Sequence, residues 1–251
     1  MNETDDILKK RLLELARRAD ERGICTYSQF LDMNGLSLLM SLRGAISPTE
    51  CTAFGGVEQC ERKVARFGAA DRNGGRFPIV CLRIAPRSSR YADALTHRDF
   101  LGALMNLGVK RETLGDIFLS GSTGYLFCLD TVAPFIAENL TRVCRTDVDC
   151  EVVEELPSAA APVLTAETVQ LAHERLDALI ARAYHLSRED SAELFTKKLV
   201  FVNSALCENS SRQPKPGEVI SVRGFGRFIY RGVTGTSKKG KLNALIEKYS
   251  G

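Results

Sequence analysis

A chain of 251 residues, 44% of them apolar and 26% charged, can bury a sizeable core and has room for one to three domains. No apolar run approaches the roughly 18 residues that a membrane-crossing helix needs, and the opening Met1-Asn2-Glu3-Thr4-Asp5-Asp6 is acidic where a secretory leader would be basic, so the expectation is a cytoplasmic protein with no membrane partner. The net charge of +3 is divided unevenly: residues 165–251 hold 14 Lys or Arg against 9 Asp or Glu, a balance of +5, and residues 1–164 hold 20 against 22, a balance of −2.

From residue 5 to about 45 the spacing of Leu8, Leu12, Leu15 and Ala19 predicts helix, ended by Pro48. Gly55-Gly56 then reads as a flexible turn leading into a helix through Glu61-Arg62-Lys63-Val64, and Arg72-Asn73-Gly74-Gly75-Arg76 as a further turn. Residues 73–156 follow a β-α-β-β-α-β order, with strands at 79–84, 117–120, 125–129 and 148–154 and helices at 96–107 and 132–140. That is the ferredoxin-like arrangement shared by RNA-recognition motifs. Gly124-Tyr125-Leu126-Phe127 partly echoes the strand on which such motifs stack bases. Tyr125 and Phe127 therefore have two readings, stacking a base or packing the sheet. Packing is favoured, because Asp130 replaces the last aromatic of the motif and the first strand offers no aromatic partner. Residues 157–164, which begin Pro157-Ser158-Ala159-Ala160-Ala161-Pro162, have the composition of a linker.

Apparent catalytic motifs fail on their neighbours. His97-Arg98-Asp99-Phe100 looks like a kinase catalytic loop, but position 104 is Leu where Asn is required, and Thr96 with Asp99 makes a helix cap instead. Gly121-Ser122-Thr123-Gly124 lies between strands, not at a strand-to-helix elbow. The eight cysteines include no Cys-x-x-Cys pair, and several alternate with core residues, as in Val80-Cys81-Leu82. Buried reduced thiols are expected, and neither a metal nor a cofactor is implied.

In the last third, Thr165 is placed to cap a helix whose apolar stripe is Val169, Ala172, Leu176, Leu179, Ile180 and Ala183, and Ser187 to cap a second, with Asp190 at the capping-box position. A short turn between them brings Arg175, Arg182 and Arg188 to one outer surface. Strands at 199–202 and 219–222 enclose the polar segment 209–216, giving a helix pair on a small sheet. From Gly217 to Lys241 the only acid is Glu218, while Arg223, Arg227, Arg231, Lys238, Lys239 and Lys241 interleave with Phe225, Phe228 and Tyr230. Such a segment suits a phosphate backbone with aromatics for stacking, the alternative being a solvated basic tail.

The pieces Arg175-Leu176-Asp177, Leu186-Ser187-Arg188-Glu189-Asp190, Val200-Phe201-Val202-Asn203 and Pro216 to Phe228 resemble, in that order, the S-four domain, a small RNA-binding fold. Together with Gly55-Gly56, Glu61-Arg62-Lys63, Leu95 to Leu104, Arg111 and Gly115-Asp116-Ile117 they look like the YlmH family of bacterial S-four-domain proteins. The resemblance implies an α+β chain with a helical N-terminal region (1–72), an RRM-like middle domain (73–156) and an S-four-like domain (165–251). It implies a non-enzymatic factor that binds rRNA and tRNA on the large ribosomal subunit, alongside other quality-control factors, in rescue of stalled subunits carrying peptidyl-tRNA and alanine tailing of the nascent chain. Arg175 and Arg188 carry over as rRNA and tRNA contacts. Arg182, Lys197, Lys198 and the six basic residues from Arg223 to Lys241 complete the RNA-binding candidates, and Asp177 reads as a structural partner of nearby basic groups. Lys198 and Ser204 depart from the family, which commonly has Gly on either side of the Val-x-Val-Asn strand. Two rival functions are an RNA-modifying enzyme with an S-four delivery domain and a cell-division-linked adaptor. Residues 1–164 show no cofactor loop and no acid/base or nucleophile constellation, which disfavours the enzyme.

Overall fold

Apolar residues three and four apart do form a first helix, α1 (Glu3–Arg22), which buries Leu12, Ala16 and Ala19. In this computed structural model, which describes residues 3–70, 75–88 and 94–250, the helix does not continue to residue 45. Gly23, at φ 63°, ends it in the left-handed conformation, and Thr26–Leu31 form strand β1. There Thr26, Ser28 and Phe30 are buried at every second position, a period that a helix cannot satisfy. Helix resumes as α2 (Met33–Ser41), capped by the Asp32 carboxylate accepting the Gly35 N–H at 2.9 Å, and as the short α3 (Arg43–Ile46).

The helix expected after Gly55-Gly56 is absent. Strands β2 (Cys51–Phe54) and β3 (Lys63–Phe67) flank the glycines in a sheet of order β1-β3-β2. Alternation decides the outcome, because Ala65 and Phe67 pack with the α1 core residues while Val64 points into the next core. The turn expected at 72–76 lies mostly outside the described residues.

The β-α-β-β-α-β order is present as β4 (Ile79–Pro86), α4 (His97–Asn106), β5 (Leu114–Ser120), β6 (Thr123–Leu129), α5 (Ala133–Asn139), an added β7 (Arg142–Val143) and β8 (Thr146–Val153). The sheet runs β5-β6-β4-β8-β7 with antiparallel neighbours. Asp99 caps α4 by accepting the Thr96 N–H at 2.8 Å and hydroxyl at 2.7 Å, so the kinase-like triplet is a helix start. Alternation along β6 sends Leu126 and Cys128 to a core with Leu82, Ile84, Phe100 and Ile136. It sends Tyr125 and Phe127 to the other face, where Phe30, Cys60, Val64 and Ala160 cover them. Both faces are therefore occupied, and residues 1–161 make one compact unit. Within the linker-like stretch 157–164, a 3-10 turn at Ser158–Ala160 buries Ala160 in that second core, and Val163 opens the next strand.

Residues 162–251 form the second unit. It contains β9 (Val163–Leu171), α6 (Leu176–Ala183), α7 (Arg188–Thr196), β10 (Val200–Val202), β11 (Ala205–Leu206), β12 (Val219–Val222), β13 (Gly226–Thr236) and β14 (Leu242–Ser250). The sheet order is β11-β10-β12-β13-β14-β9. The helix expected from Thr165 is corrected to a strand followed by a shorter helix. Val163, Thr165, Thr168 and Val169 are β-branched and favour the strand, and β9 pairs with β14 along its whole length, from Leu171 opposite Leu242 to Val163 opposite Ser250. Ala172, expected on the buried stripe, is exposed, while Leu176, Leu179, Ile180 and Ala183 do line the buried side of α6. Phe228 and Tyr230, expected as surface stacking residues, are fully buried on β13. The protein is thus α+β, with seven helices and three antiparallel sheets among the described residues. Among these residues no helix is long and apolar enough to cross a membrane.

Candidate nucleic-acid interface

Leu176 and Ile180 anchor α6 in the core and leave its first turn near the surface. Arg175, the residue before the helix, turns back on Asp177, with Nε 3.0 Å from Oδ1 and Nη2 2.7 Å from Oδ2. Asp177 also accepts the Ala178 N–H at 2.8 Å, and its carbonyl accepts the Ser191 hydroxyl of α7 at 2.7 Å. Burial works to raise the Asp177 pKa, but the Arg175 and Ala178 hydrogen bonds and the charges of Arg175 and Arg188 outweigh it and hold the carboxyl below its usual range. Asp177 is the structural partner that its triplet suggested. Ser187 caps α7 by accepting the Asp190 N–H at 3.0 Å and donating to the Asp190 carboxylate at 2.7 Å, which leaves Arg188 exposed in the first turn. Arg175 and Arg188 thus flank one carboxylate. Arg182 does not join them. Two helical turns away, about 10 Å along the axis, it lines a recess of about 250 Å³ with His185, Lys241 and Glu167.

The segment from 209 to 218 is built into the fold. The N–H groups of Leu176 and Asp177 donate to the carbonyls of Arg212 and Ser210 at 2.9 and 3.0 Å. Glu218 accepts two bonds from the Arg212 guanidinium, one at 2.9 Å, and the Lys215 N–H at 2.9 Å. Burial pushes the Glu218 pKa up, but these bonds and the charges of Arg212 and Lys215 prevail and hold it below the usual carboxylate range. The one acid between 217 and 241 is therefore turned inward. Beyond it, β12 and β13 meet at Arg223-Gly224-Phe225. Gly224 at φ 86° and Gly226 at φ 120° occupy backbone that side chains rarely adopt. Phe225 is 44% exposed on this turn, its ring 5.5 Å from that of Tyr184. The Arg223 guanidinium lies over Phe201 at 5.5 Å and that of Arg227 over Tyr249 at 3.9 Å.

The other candidates are spread over the surface of this unit. Lys197 pairs with Glu193 at 2.9 Å, Lys198 with Glu208 at 3.2 Å and Arg231 with Glu247 at 2.7 Å, exposed pairs of a kind that contribute little to stability. Lys238 and Lys239 stand exposed in the turn joining β13 to β14. Lys198 at φ 57° and Ser204 at φ 66° hold left-handed backbone on either side of β10, so both turns form without glycine. Asn203, at φ 50°, supports the second by accepting the Val219 N–H at 2.9 Å. Absent from the sequence candidates are Tyr184, Glu167 and Lys248, the last two paired at 2.6 Å. The alternation of Leu242, Ala244, Ile246 and Lys248 was the signal that would have placed Lys248 on a strand beside them.

In the first unit, the motif residues that carry the family resemblance have architectural roles. Asp116 accepts the Glu61 and Arg62 N–H groups, the latter at 3.2 Å. Arg62 donates to the carbonyls of Leu114, Phe30 and Arg111, and Arg111 to those of Leu114 and Gly115. Burial and the neighbouring Arg62 charge bring the Arg111 pKa down to about 10. Cys60, Cys81, Cys128 and Cys207 are buried, burial pushing Cys81 up to about 11 and Cys128 to about 12. Cys144, in contrast to the expectation of buried thiols, is exposed and donates to the Asp99 carboxylate at 3.2 Å.

The family described as "Putative RNA-binding domain in YlmH" matches residues 77–156. "Ribosome-associated protein quality control protein P2" of Bacillus subtilis (strain 168) is 30% identical over 250 residues, spanning 94% of this chain and 92% of that protein. Among solved structures, "Cell division protein ylmH from Streptococcus pneumoniae" is similar with a TM-score of 0.49 at 18% identity, covering 61% of this chain and 93% of that one.

Proposed function

The chain belongs to the YlmH family, and from that premise we propose that it is a non-enzymatic RNA-binding factor that holds rRNA and tRNA on the large ribosomal subunit. Its role is in ribosome-associated quality control, where it acts on stalled subunits carrying peptidyl-tRNA and supports alanine tailing of the nascent chain. In this reading the β5-β6-β4-β8-β7 sheet with α4 and α5 is an RRM-like domain, and residues 165–251 are an S-four domain whose helix pair and β12–β13 turn meet the RNA.

The observation that carries the reading is the partition of charge between the units. Residues 162–164 carry none, so the second unit holds the whole +5 balance and the first holds −2. The burial of Glu218 removes the only acid from the basic stretch of the surface. In the first unit Tyr125 and Phe127 are 7% and 4% exposed, which closes the sheet face on which an RNA-recognition motif stacks bases. The main grip is therefore assigned to the second unit.

Crosslinking in cells followed by RNA sequencing tests this directly. Reads should concentrate in large-subunit rRNA and tRNA. Crosslinks confined to small-subunit rRNA would refute the placement, and an absence of RNA crosslinks would refute the function.

A further inference from the structure

The C-terminal end of α6 and the β12–β13 turn together form a surface for which general phosphate attraction gives no specific use. We propose that it is a stacking site for an unpaired nucleotide: an RNA base lies on the ring of Phe225, and a flanking phosphate enters the recess lined by Arg182, His185 and Lys241. The inference rests on the RNA-binding role and adds to it the class of RNA recognised, single-stranded rather than duplex.

Three observations support it. Of the aromatics in the basic stretch, Phe228 and Tyr230 are fully buried and Phe225 alone is turned outward, 44% exposed. The glycines beside it are there for conformation, since a Cβ on Gly224 would meet nothing within 4 Å although its φ is 86°. Gly224 and Gly226 add no side chain on either side of the ring. Second, the ring is supported from within. Tyr184, which ends α6, lies 5.5 Å from Phe225 at an interplanar angle of 46° and 5.9 Å from the buried Phe228. A ring held in this way loses little freedom when a base stacks on it. Third, the recess is linked to the same tyrosine through Lys248. Arg182 and His185 flank Tyr184 in sequence, and Lys248 approaches its ring at 5.8 Å while pairing with Glu167, the one acid of the recess, at 2.6 Å. The carboxylate is thus turned to Lys248, leaving Arg182, Lys241 and His185 to face an incoming phosphate. Bases in an A-form duplex are already stacked on each other and cannot reach such a ring, whereas stacking on an aromatic platform is open to every unpaired base.

The chain has no Trp, so Phe225→Trp in the full-length protein provides a single reporter. Its emission should be quenched by a short single-stranded oligoadenylate, and left unchanged by a duplex of equal length or by the same strand carrying abasic nucleotides. Phe225→Ala should weaken binding of the single strand roughly 5- to 150-fold with its salt slope unchanged, while duplex binding and melting temperature stay as in the wild type. Arg182→Ala with Lys241→Ala should instead reduce the slope of log affinity against log salt by about 0.7 for each phosphate that is no longer neutralised. If Phe225→Ala binds the single strand within about twofold of wild type while the basic double substitution weakens it, the stacking site is refuted and the RNA-binding role stands. If wild-type protein binds no RNA, both fall. If Phe225→Ala impairs co-sedimentation with ribosomes and leaves naked RNA binding intact, the ring docks on protein and the proposal is overturned.

Discussion

Replacing Gly56 with Ala should destabilise the first unit severely, because two independent penalties meet at that position. Its φ of 114° is one that L side chains rarely adopt, and such strain costs on the order of 1–3 kcal/mol. An added Cβ would also lie 2.2, 2.4 and 2.8 Å from three atoms of the Phe127 ring, about 0.7–1.3 Å inside the near limit of normal carbon contact. The ring has no room to withdraw. It is 4% exposed and stands edge-on to Phe118 at 6.0 Å and 84°. Overpacking of this kind costs about 1–3 kcal/mol, so the sum is roughly 2–6 kcal/mol, or on the order of 4–24 °C in melting temperature for a unit of this size. Two compact units need not unfold together, so hydrogen exchange of the full chain, followed peptide by peptide, is the suitable assay. A double-mutant cycle isolates the packing part. Phe127→Ala alone should cost about 3–5 kcal/mol, and in that background Gly56→Ala should lose only its conformational part. Effects that add within about 0.5 kcal/mol would refute the reasoning. RNA affinity of the folded variants should not change, and a loss of affinity in Phe127→Ala without loss of stability would reopen base stacking on this sheet.

Residues 162–251 expressed alone should fold and retain most of the ribosome affinity, with a salt slope of roughly −0.7 to −0.9 per phosphate neutralised, and tight binding by 1–161 in the same co-sedimentation assay would overturn that division of labour. Changing both Arg175 and Arg188 to Ala should weaken co-sedimentation with large subunits and also lower the melting temperature, since both charges hold Asp177 ionised; unchanged binding by the folded double variant removes both residues from the candidate interface. Acid should unfold the second unit early, because Asp177 and Glu218 both have folded pKa values below their usual range. The stabilisation from these carboxylates is complete above the unfolded values and is lost as pH falls through the lowered folded ones. Glu218→Gln should therefore melt lower at neutral pH and decline less steeply on acidification, and identical acid slopes for variant and wild type would contradict the assignment.

Local signals were the legible ones. The Thr96-Asp99 and Ser187-Asp190 caps are three-residue patterns, and both form as read. The β-α-β-β-α-β order was visible because its strands and helices have clean periods. Residues 165–176 satisfied two periods at once: Val169, Ala172 and Leu176 fit a helix, while Glu167, Val169 and Leu171 fit a strand, and pairing with distant β14 decides between them. Charge concealed β13, since Arg227 and Arg231 flank the Phe228-Ile229-Tyr230 run that is buried. At the candidate interface, Arg175 and Asp177 are two residues apart and their pairing could be anticipated. The recess joins Arg182 to Lys241 only because the sheet closes, and the Arg62, Arg111 and Asp116 network likewise depends on contacts remote in sequence.

β9 is an edge strand whose one neighbour among the described strands is β14. During synthesis it therefore emerges 71 residues before its first partner, the distance from Leu171 to Leu242. Closing a loop of that length costs about 4 kcal/mol in chain entropy beyond a constant term, so the pairing belongs to a late stage of folding. The recess draws Glu167 from β9, Arg182 and His185 from the end of α6, and Lys241 from the turn before β14. A copy of this chain halted before that turn lacks the recess altogether and cannot compete with complete copies for the RNA that would occupy it.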